Sequence, residues 1–130
     1  MLFRSERLLE KSIDYARTRK QFGETIGKFQ AISNRIVDMK VRLEAAHLLV
    51  CRAAANLEKL RTVSLDAAIA KLFVSESYIQ TTLDAVQIHG GAGYLTENHL
   101  ERSVRDSVAS TIYSGTSEMQ KKIIARWLGL

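Results

Sequence analysis

The most regular feature of the chain is an apolar repeat in its first half. Apolar side chains recur at alternating steps of three and four residues, at Phe29, Ile32, Ile36, Met39, Leu43, Ala46, Val50, Ala53, Leu57 and Leu60. A repeat of about 3.5 residues is typical of a helix whose seam is buried in a bundle or coiled coil. The pattern therefore predicts one helix of about 32 residues, nearly 50 Å long at a rise of ~1.5 Å per residue.

Two further long segments flank this helix and show helical patterning. Residues 2–18 predict a first helix, and a loop at 19–27 with two glycines separates it from the second. Residues 65–89 carry another long apolar stripe and predict a third helix. A turn is expected before it at 61–64, where the Ser64 hydroxyl can accept a hydrogen bond from the first turn of the helix.

Two shorter helices are predicted in the last third of the chain. Thr96 is expected to cap a helix that ends near Val108, because a threonine hydroxyl can accept a hydrogen bond from the start of a helix. Thr116 or Ser117 is expected to cap a last helix in the same way. That helix is predicted to end at Trp127.

These segments together predict the fold class. The chain contains no proline, the strongest helix breaker, and shows no strand pattern or internal repeat. Helices joined by short loops become antiparallel neighbours. We therefore expect an all-α fold, an antiparallel four-helix up-and-down bundle with an additional short helix, in a single domain over residues 1–130.

Composition and charge narrow the possible partners. No stretch approaches the ~18 apolar residues of a membrane span, and charge appears too early in the chain for a signal peptide. A cytoplasmic location without membrane contact is therefore expected. The net charge of +5 is uneven, since residues 1–65 hold 13 Lys and Arg against 7 Asp and Glu. A basic half makes nucleic acid an alternative partner, although most of these cations are spaced singly.

The residue types that bind metals do not form a motif. His47, His89 and His99 share no metal-ligand spacing, so no metal site is expected. Cys51 is the single cysteine and lies in an apolar run, which favours a small buried hydrophobe over a reactive thiol.

Four of the seven glycines lie between residues 87 and 120. The glycines at 90–93 fit either an approach of backbone to a phosphate group or a simple turn between helices. Residues 113–117 offer hydroxyls and backbone N–H groups at a helix start, which suits an anion but also an ordinary capped helix. Spacing alone leaves both alternatives open.

Four motifs in this order resemble those of the acyl-CoA dehydrogenases. Residues 15–30, YARTRKQFGETIGKFQ, resemble the family's R-x-x-F-G…F-Q segment, and residues 87–94, QIHGGAGY, resemble its Q-x-x-G-G-x-G-Y loop. Residues 101–106, ERSVRD, resemble its E-x-x-x-R-D helix, and residues 112–120, IYSGTSEMQ, resemble its I-Y-x-G-T-S-E/Q-x-Q helix entry. The resemblance covers nearly the whole chain and concerns only the family's C-terminal helical domain.

In that family the C-terminal domain binds FAD across a subunit interface. The resemblance implies that Arg19 pairs with the FAD pyrophosphate of a neighbouring subunit. Phe22 would pack beside the same cofactor, and Gln30 would contact it. A homo-oligomer, either a dimer or a dimer of dimers, is therefore implied as well.

The remaining FAD contacts implied by the resemblance come from the second half of the chain. Gln87 and the backbone of Gly90 and Gly91 would contact the adenine end of the nucleotide. Thr116 and Glu118 would lie against the FAD bound to their own subunit.

The family's chemistry is the α,β-desaturation of acyl-CoA thioesters, and one position departs from its pattern. Ser114 occupies the place of the usual Glu base, and Ser114 and Gly115 lie where the substrate would bind. A serine hydroxyl does not act as a base without an activating partner. The family's other base position and its N-terminal and middle domains would lie upstream of Met1. The chain alone is therefore not expected to catalyse desaturation.

Two alternative interpretations of the chain's function remain open. The chain could be a non-enzymatic assembly module that kept the bundle and lost the chemistry. Some relatives bind DNA, which is a less favoured alternative. In a full-length protein, an acyl-CoA substrate and an electron-transfer partner are expected.

Overall fold

The protein is an almost entirely helical bundle in the part of the chain that the structure describes. The structure is a computed structural model, and it describes residues 1–57 and 63–130. The helices are α1 (Leu2–Thr18), α2 (Gln30–Ala55), α3 (Val63–His89), α4 (Gly91–Tyr94), α5 (Leu100–Ala109) and α6 (Ser117–Trp127). The strands are β1 (Lys20–Gln21) and β2 (Glu24–Thr25), and 3-10 turns cover Ile26–Lys28 and Thr96–Asn98.

Helix α3 is the central element, since it packs against α1, α2, α5 and α6. Its polar contacts show the direction in which α5 runs relative to α3. The Thr82 and Ser107 hydroxyls lie 3.0 Å apart, and the Ser110 hydroxyl donates to the carbonyl oxygen of Ser75 at 3.4 Å. Later residues of α5 thus meet earlier residues of α3, so the two helices are antiparallel. This arrangement confirms the predicted all-α bundle.

The core lies where α1, α2 and α3 meet. Its buried members are Leu8, Leu9, Met39, Leu43, Tyr78, Ala85, Ile88 and Leu100. Within the apolar repeat of α2, Met39, Leu43 and Ala46 are buried as expected. The repeat is less covered towards its end, because Val50 is 37% exposed and Leu57 is 66% exposed.

Helix α2 is shorter than predicted. It ends at Ala55, and Asn56 follows as its C-cap, whereas the apolar repeat predicted a helix to Leu60. The Asn56 side-chain amide donates to a carboxylate oxygen of Asp66 at 2.9 Å, which ties the end of α2 to the first turn of α3. Leu60 itself lies outside the described residues.

The start of α3 also differs from the prediction. Residues 61 and 62 of the expected turn lie outside the described residues. Ser64 lies inside α3, which already includes Val63, so its prediction as a cap is wrong. Asp66 in the first turn of α3 supplies the polar contacts here, since its carboxylate also pairs with Arg52 at 3.1 Å.

The prediction for Thr96 is wrong as well. Thr96 begins a 3-10 turn, and α5 starts only at Leu100. His99 precedes α5 with a left-handed φ of 59°, which redirects the chain between the turn and the helix. The Asn98 amide donates to the carbonyl oxygen of Ala92 at 2.7 Å and holds the turn against α4.

The loop predicted at 19–27 contains a small antiparallel hairpin instead of irregular chain. Lys20 pairs with Thr25, and Gln21 pairs with Glu24. Phe22 and Gly23, the two residues between the strands, have φ values of 52° and 81°. Two positive φ angles in a two-residue loop are the geometry that suits the twist of a hairpin. The prediction that the chain contains no strands is therefore wrong for residues 20–25.

Candidate functional site

A surface cavity forms where the hairpin meets the end of α3 and the start of α2. It has a volume of about 340 Å³, and four of the predicted cofactor residues line it: Arg19, Phe22, Gly90 and Gly91. Tyr15 and His89 line it as well. The structure thus brings together two sequence motifs that are about 70 residues apart.

Arg19 is held by its backbone while its side chain stays available. Its backbone N–H donates to the carbonyl oxygen of Tyr15 at 2.8 Å, and its own carbonyl accepts from Ile26 at 2.9 Å. The side chain is exposed, and its guanidinium forms no ion pair with any residue that the structure describes. A guanidinium presented in this way can bind a phosphate oxygen pair with two hydrogen bonds.

Phe22 stands at the tip of the hairpin. It is 93% exposed, and its ring meets Phe29 edge-on, with the two ring centroids 6.2 Å apart. The exposed ring offers a platform for a planar or apolar group.

The glycines after α3 differ in what surrounds them. Gly90 has a φ of 57°, and no atom lies within 4 Å of the place a Cβ would take at Gly90 or Gly91. A Cβ at Gly93 would lie 2.6 Å from the carbonyl oxygen of Val86. Gly93 is therefore needed for the packing of α4 on α3, whereas the backbone of Gly90 and Gly91 is open to a ligand.

Two of the predicted cofactor residues lie close to this cavity without lining it. Gln87 is exposed on α3, and its carbonyl accepts a hydrogen bond from the Gly90 backbone at 3.2 Å. Gln30 is exposed at the start of α2, directly after Phe29, which lines the cavity. Both glutamines therefore flank the cavity rather than enter it.

The second group of predicted residues surrounds the start of α6. Ser114 and Gly115 have φ values of 55° and 88°, and their carbonyl oxygens accept from the Gln120 side-chain amide at 3.4 and 3.3 Å. The Thr116 hydroxyl accepts from the Met119 backbone N–H at 3.3 Å, which confirms Thr116 as the cap of α6.

Two contacts favour the charged form of Glu118 at this helix start. Hydrogen bonding from its own backbone N–H, followed by the Thr116 hydroxyl, lowers the pKa of the Glu118 carboxyl. Glu118 therefore stays a carboxylate near neutral pH and suits hydrogen-bond donors.

Polar atoms without partners lie near the same place. The Ser117 hydroxyl and the Lys71 ammonium nitrogen are buried and have no hydrogen-bond partner among the described residues. Lys71 is also one of the charges that lower the pKa of Glu118, so it lies near the start of α6. Buried polar groups are normally hydrogen-bonded, so these two atoms are exceptions within the described part of the chain.

Ser114 has no activating partner in the described part of the chain. Its side chain is exposed, and its hydroxyl forms no hydrogen bond with a histidine, lysine or carboxylate there. An unactivated serine hydroxyl does not remove a proton from carbon. The expectation that Ser114 is not the base stays a prediction.

The two groups of residues are far apart on one chain. Lys121 of α6 pairs with Glu76 at 3.8 Å, near the middle of α3. Gly90 follows Glu76 by 14 residues, or about 21 Å along a helix axis. The two groups therefore form two separate surfaces of the same chain.

Some residues near these surfaces were not predicted. Tyr15 lies one helical turn before Arg19, a spacing that could have identified it. Four cations, Arg4, Arg7, Lys11 and Arg102, line a different cavity of about 380 Å³ between α1 and α5. The first three follow a helical spacing, but the contribution of α5 could not be read from the sequence. Among the described residues, no group of three metal-ligating side chains occurs, and no helix is long and apolar enough to cross a membrane.

Comparison with known proteins identifies the family. The family model of the acyl-CoA dehydrogenase C-terminal domain matches residues 1–129. The chain belongs to this family. It is 49% identical over 125 residues to an L-prolyl-[peptidyl-carrier protein] dehydrogenase of Pseudomonas fluorescens, which covers 96% of this chain and 33% of that protein. It is also 45% identical to a caffeyl-CoA reductase-Etf complex subunit of Acetobacterium woodii. That alignment spans 120 residues, which are 92% of this chain and 32% of the relative.

Solved structures agree with this assignment. The FAD complex of PigA matches with a TM-score of 0.95 and 45% identity, over 99% of this chain and 34% of that one. Butyryl-CoA dehydrogenase from Megasphaera elsdenii matches with a TM-score of 0.94 and 39% identity, over the same shares. The chain therefore spans about a third of the length of these relatives. It corresponds to the C-terminal helical domain of an FAD-dependent family.

Proposed function

We propose that residues 1–130 form one domain that serves an FAD-dependent acyl thioester dehydrogenase and contacts two FAD molecules. The observation that carries the proposal is the separation of the two predicted groups of residues. Arg19, Phe22, Gly90 and Gly91 line one cavity, while the start of α6 lies beside the middle of α3. One chain can then complete the cofactor site of a neighbour and take part in its own.

The first surface suits the dinucleotide end of FAD. The Arg19 guanidinium would pair with the pyrophosphate, and the open backbone of Gly90 and Gly91 would admit the nucleotide closely. Phe22 would pack against the cofactor, and Gln30 and Gln87 would contact it from the rim.

The second surface suits the reacting end of the site. Thr116 and Glu118 would hold the cofactor of the same subunit at the start of α6, where backbone N–H groups favour polar and anionic partners. Ser114 and Gly115 would lie beside the thioester. Bound FAD supplies the hydride acceptor for desaturation, and the proton must be removed by a base other than Ser114. The isolated chain is therefore proposed to be inactive.

The substrate is proposed to be an acyl thioester, with acyl-CoA as the expected form. One relative's name specifies a prolyl group on a peptidyl-carrier protein, and another specifies a CoA ester. Both are thioesters, and an electron-transfer partner is proposed because one relative belongs to an Etf complex. Cytoplasmic placement is part of the same proposal.

A homo-oligomer, either a dimer or a dimer of dimers, is proposed because a shared cofactor requires a second subunit. Val37, Val41 and Leu48 on α2 are 57%, 61% and 70% exposed and lie on one face of the helix. Burying such side chains would favour association. We expect sedimentation velocity to show a dimer or larger species, and a strict monomer at high protein concentration would contradict this part of the proposal.

Replacing Arg19 with Ala tests the cofactor role. We expect binding of ADP, the dinucleotide half that this surface would contact, to weaken roughly 10- to 100-fold, as for loss of a hydrogen bond to a charged group. Arg19→Lys should restore only part of the affinity, because lysine lacks the planar fork. Isothermal titration calorimetry provides the affinities.

The matched control is Arg17→Ala, since Arg17 is exposed in the last turn of α1 and does not line the cavity. Equal loss in both variants would mean that ADP responds only to net charge. Unchanged binding in Arg19→Ala would favour the alternative of an assembly module without a cofactor role.

Nucleic-acid binding remains the less favoured alternative. The cavity lined by Arg4, Arg7, Lys11 and Arg102 is the surface that it would use. Phosphate contacts predict an affinity that falls steeply with salt. Absence of binding to duplex DNA at low salt, measured by fluorescence anisotropy, would exclude it.

A further inference from the structure

His89 is the last residue of α3 and lies between two cavities. One is the cavity lined by Arg19, Gly90 and Gly91, and the other, of about 320 Å³, is lined by Lys11 and Asp14 among others; His89 lines both. The proposed cofactor contacts use the residues on either side of His89 in the sequence but give its side chain no role.

The orientation of the His89 ring is fixed by its neighbours. The ring stacks on Tyr15, with centroids 4.2 Å apart and an interplanar angle of 24°. Its Nδ1 lies 2.8 Å from the carbonyl oxygen of Ala85, and the Tyr15 hydroxyl donates to the His89 carbonyl at 3.4 Å. These contacts join α1 to the end of α3 and leave the ring little freedom to turn.

The same contacts determine which nitrogen carries the proton. A carbonyl oxygen only accepts, so the hydrogen bond to Ala85 requires a proton on Nδ1. In a neutral imidazole, Nε2 is then an acceptor. Burial, followed by the charge of Lys11, lowers the pKa of His89, which favours this neutral form, although the hydrogen bond to Ala85 acts in the opposite direction. Nε2 has no hydrogen-bond partner among the described residues.

The charged groups around the ring favour a neutral His89 whose Nε2 accepts a hydrogen bond over a doubly protonated, cationic ring. Lys11 and Asp14 of α1 line the cavity on one side, and Arg19 lines the cavity on the other. Since two of these three groups are cationic, a proton on Nε2 would add a third positive charge to the region. An uncharged donor, such as a hydroxyl or amino group, is the partner that fits Nε2.

We propose that Nε2 of His89 accepts a hydrogen bond from a ribose hydroxyl or the adenine amino group of the nucleotide whose diphosphate Arg19 binds. His89 is then a positioning residue that fixes the adenosine portion against the glycine turn. The inference rests on the proposed function, because it requires a nucleotide in the cavity lined by Arg19, Gly90 and Gly91. It adds a side-chain contact to a turn for which only backbone contacts are otherwise proposed.

The direct test uses nitrogen-15 NMR of the histidine rings, with ADP as the probe. Before ADP is added, we expect His89 to show a protonated Nδ1 and an unprotonated Nε2. Saturating ADP should move the Nε2 resonance upfield, as expected when this nitrogen accepts a hydrogen bond. If the Nε2 resonance stays unchanged while the Gly90 and Gly91 amides shift, the inference is wrong and the proposed nucleotide site survives. If none of these signals moves, both fail.

Two substitutions separate a ligand contact from a structural role. His89→Asn can keep the donor near Nδ1 but loses the atom at the Nε2 position, whereas His89→Gln places an amide oxygen near Nε2. We expect Asn to weaken ADP binding about five- to tenfold, as for loss of one neutral hydrogen bond. Gln should retain most of the affinity.

A purely structural role would reverse this order, because the Asn variant keeps the contact with Ala85. Equal affinities for the Asn variant and the wild type would overturn the inference. Urea unfolding of both variants confirms that they remain folded and identifies any loss of affinity that follows loss of stability.

Discussion

Replacing Asp84 with Asn lowers the free energy of unfolding by about 3 kcal/mol, the lower end of the range for breaking a buried ion pair. The Asp84 side chain is 4% exposed and accepts hydrogen bonds from Arg35 at 2.8 Å and from Arg42. Both arginines are on α2, so this carboxylate joins α2 to α3. Its loss leaves two guanidinium groups facing each other without a counter-charge.

Partial exposure of the arginines limits the effect. Arg35 is 42% exposed and Arg42 is 23% exposed, so water can reach them when the carboxylate is lost. The Nε atom of Arg42 is buried without a partner among the described residues, which makes Asp84 more important to this guanidinium. Urea unfolding followed by circular dichroism measures the change.

The matched control is Glu44→Gln, which removes the carboxylate of an exposed ion pair with Lys40 within α2. Exposed pairs contribute little to stability, so the midpoint of unfolding should not change measurably. If Asp84→Asn and Glu44→Gln have the same midpoint, the buried cluster does not hold the two helices together.

Replacing Gly93 with Ala lowers the free energy of unfolding by about 2 kcal/mol, within the usual range for overpacking a core. A Cβ at this position would lie 2.6 Å from the carbonyl oxygen of Val86 and 3.0 Å from its Cα. Both are backbone atoms of α3, so relief requires that α4 move away from α3. Thermal unfolding by calorimetry provides the measurement.

Gly91→Ala is the control for this change. Gly91 lies two residues earlier, in the same short helix, and no atom lies within 4 Å of its added Cβ. We expect its unfolding temperature to stay at or slightly above that of the wild type. Equal destabilisation in both variants would show that loss of glycine flexibility, rather than the clash with Val86, is responsible.

Much of the fold could be predicted from the sequence, because helical periodicity reports on burial along one element. The bounds of α1 and α6 were predicted correctly, as was Thr116 as the cap of α6. The hairpin was missed because strands of two residues are too short to show a period of two. Its signal was the Phe22–Gly23 pair, whose positive φ values belong to the tertiary arrangement as much as to local preference.

The candidate site was predicted only in part, because several of its contacts join residues that are far apart in the sequence. The motifs identified Arg19, Phe22, Gly90 and Gly91 as separate residues, and the fold brings them together. His89 and Tyr15 stack although they are 74 residues apart, which no local pattern reveals. Metal-ligand spacing is the only signal that a histidine gives in the sequence, whereas the partners of His89 in the fold are an aromatic ring and a carbonyl oxygen.

The cavity at the hairpin is proposed to bind the diphosphate half of FAD. Amide NMR spectra of the chain titrated with FAD, compared with riboflavin, which lacks the diphosphate, test it most directly. We predict that FAD shifts the amides of Phe22, Gly90 and Gly91, and that riboflavin leaves them unchanged. Shifts that centre on Arg7, Lys11 and Arg102, or no shifts at millimolar FAD, would contradict the account.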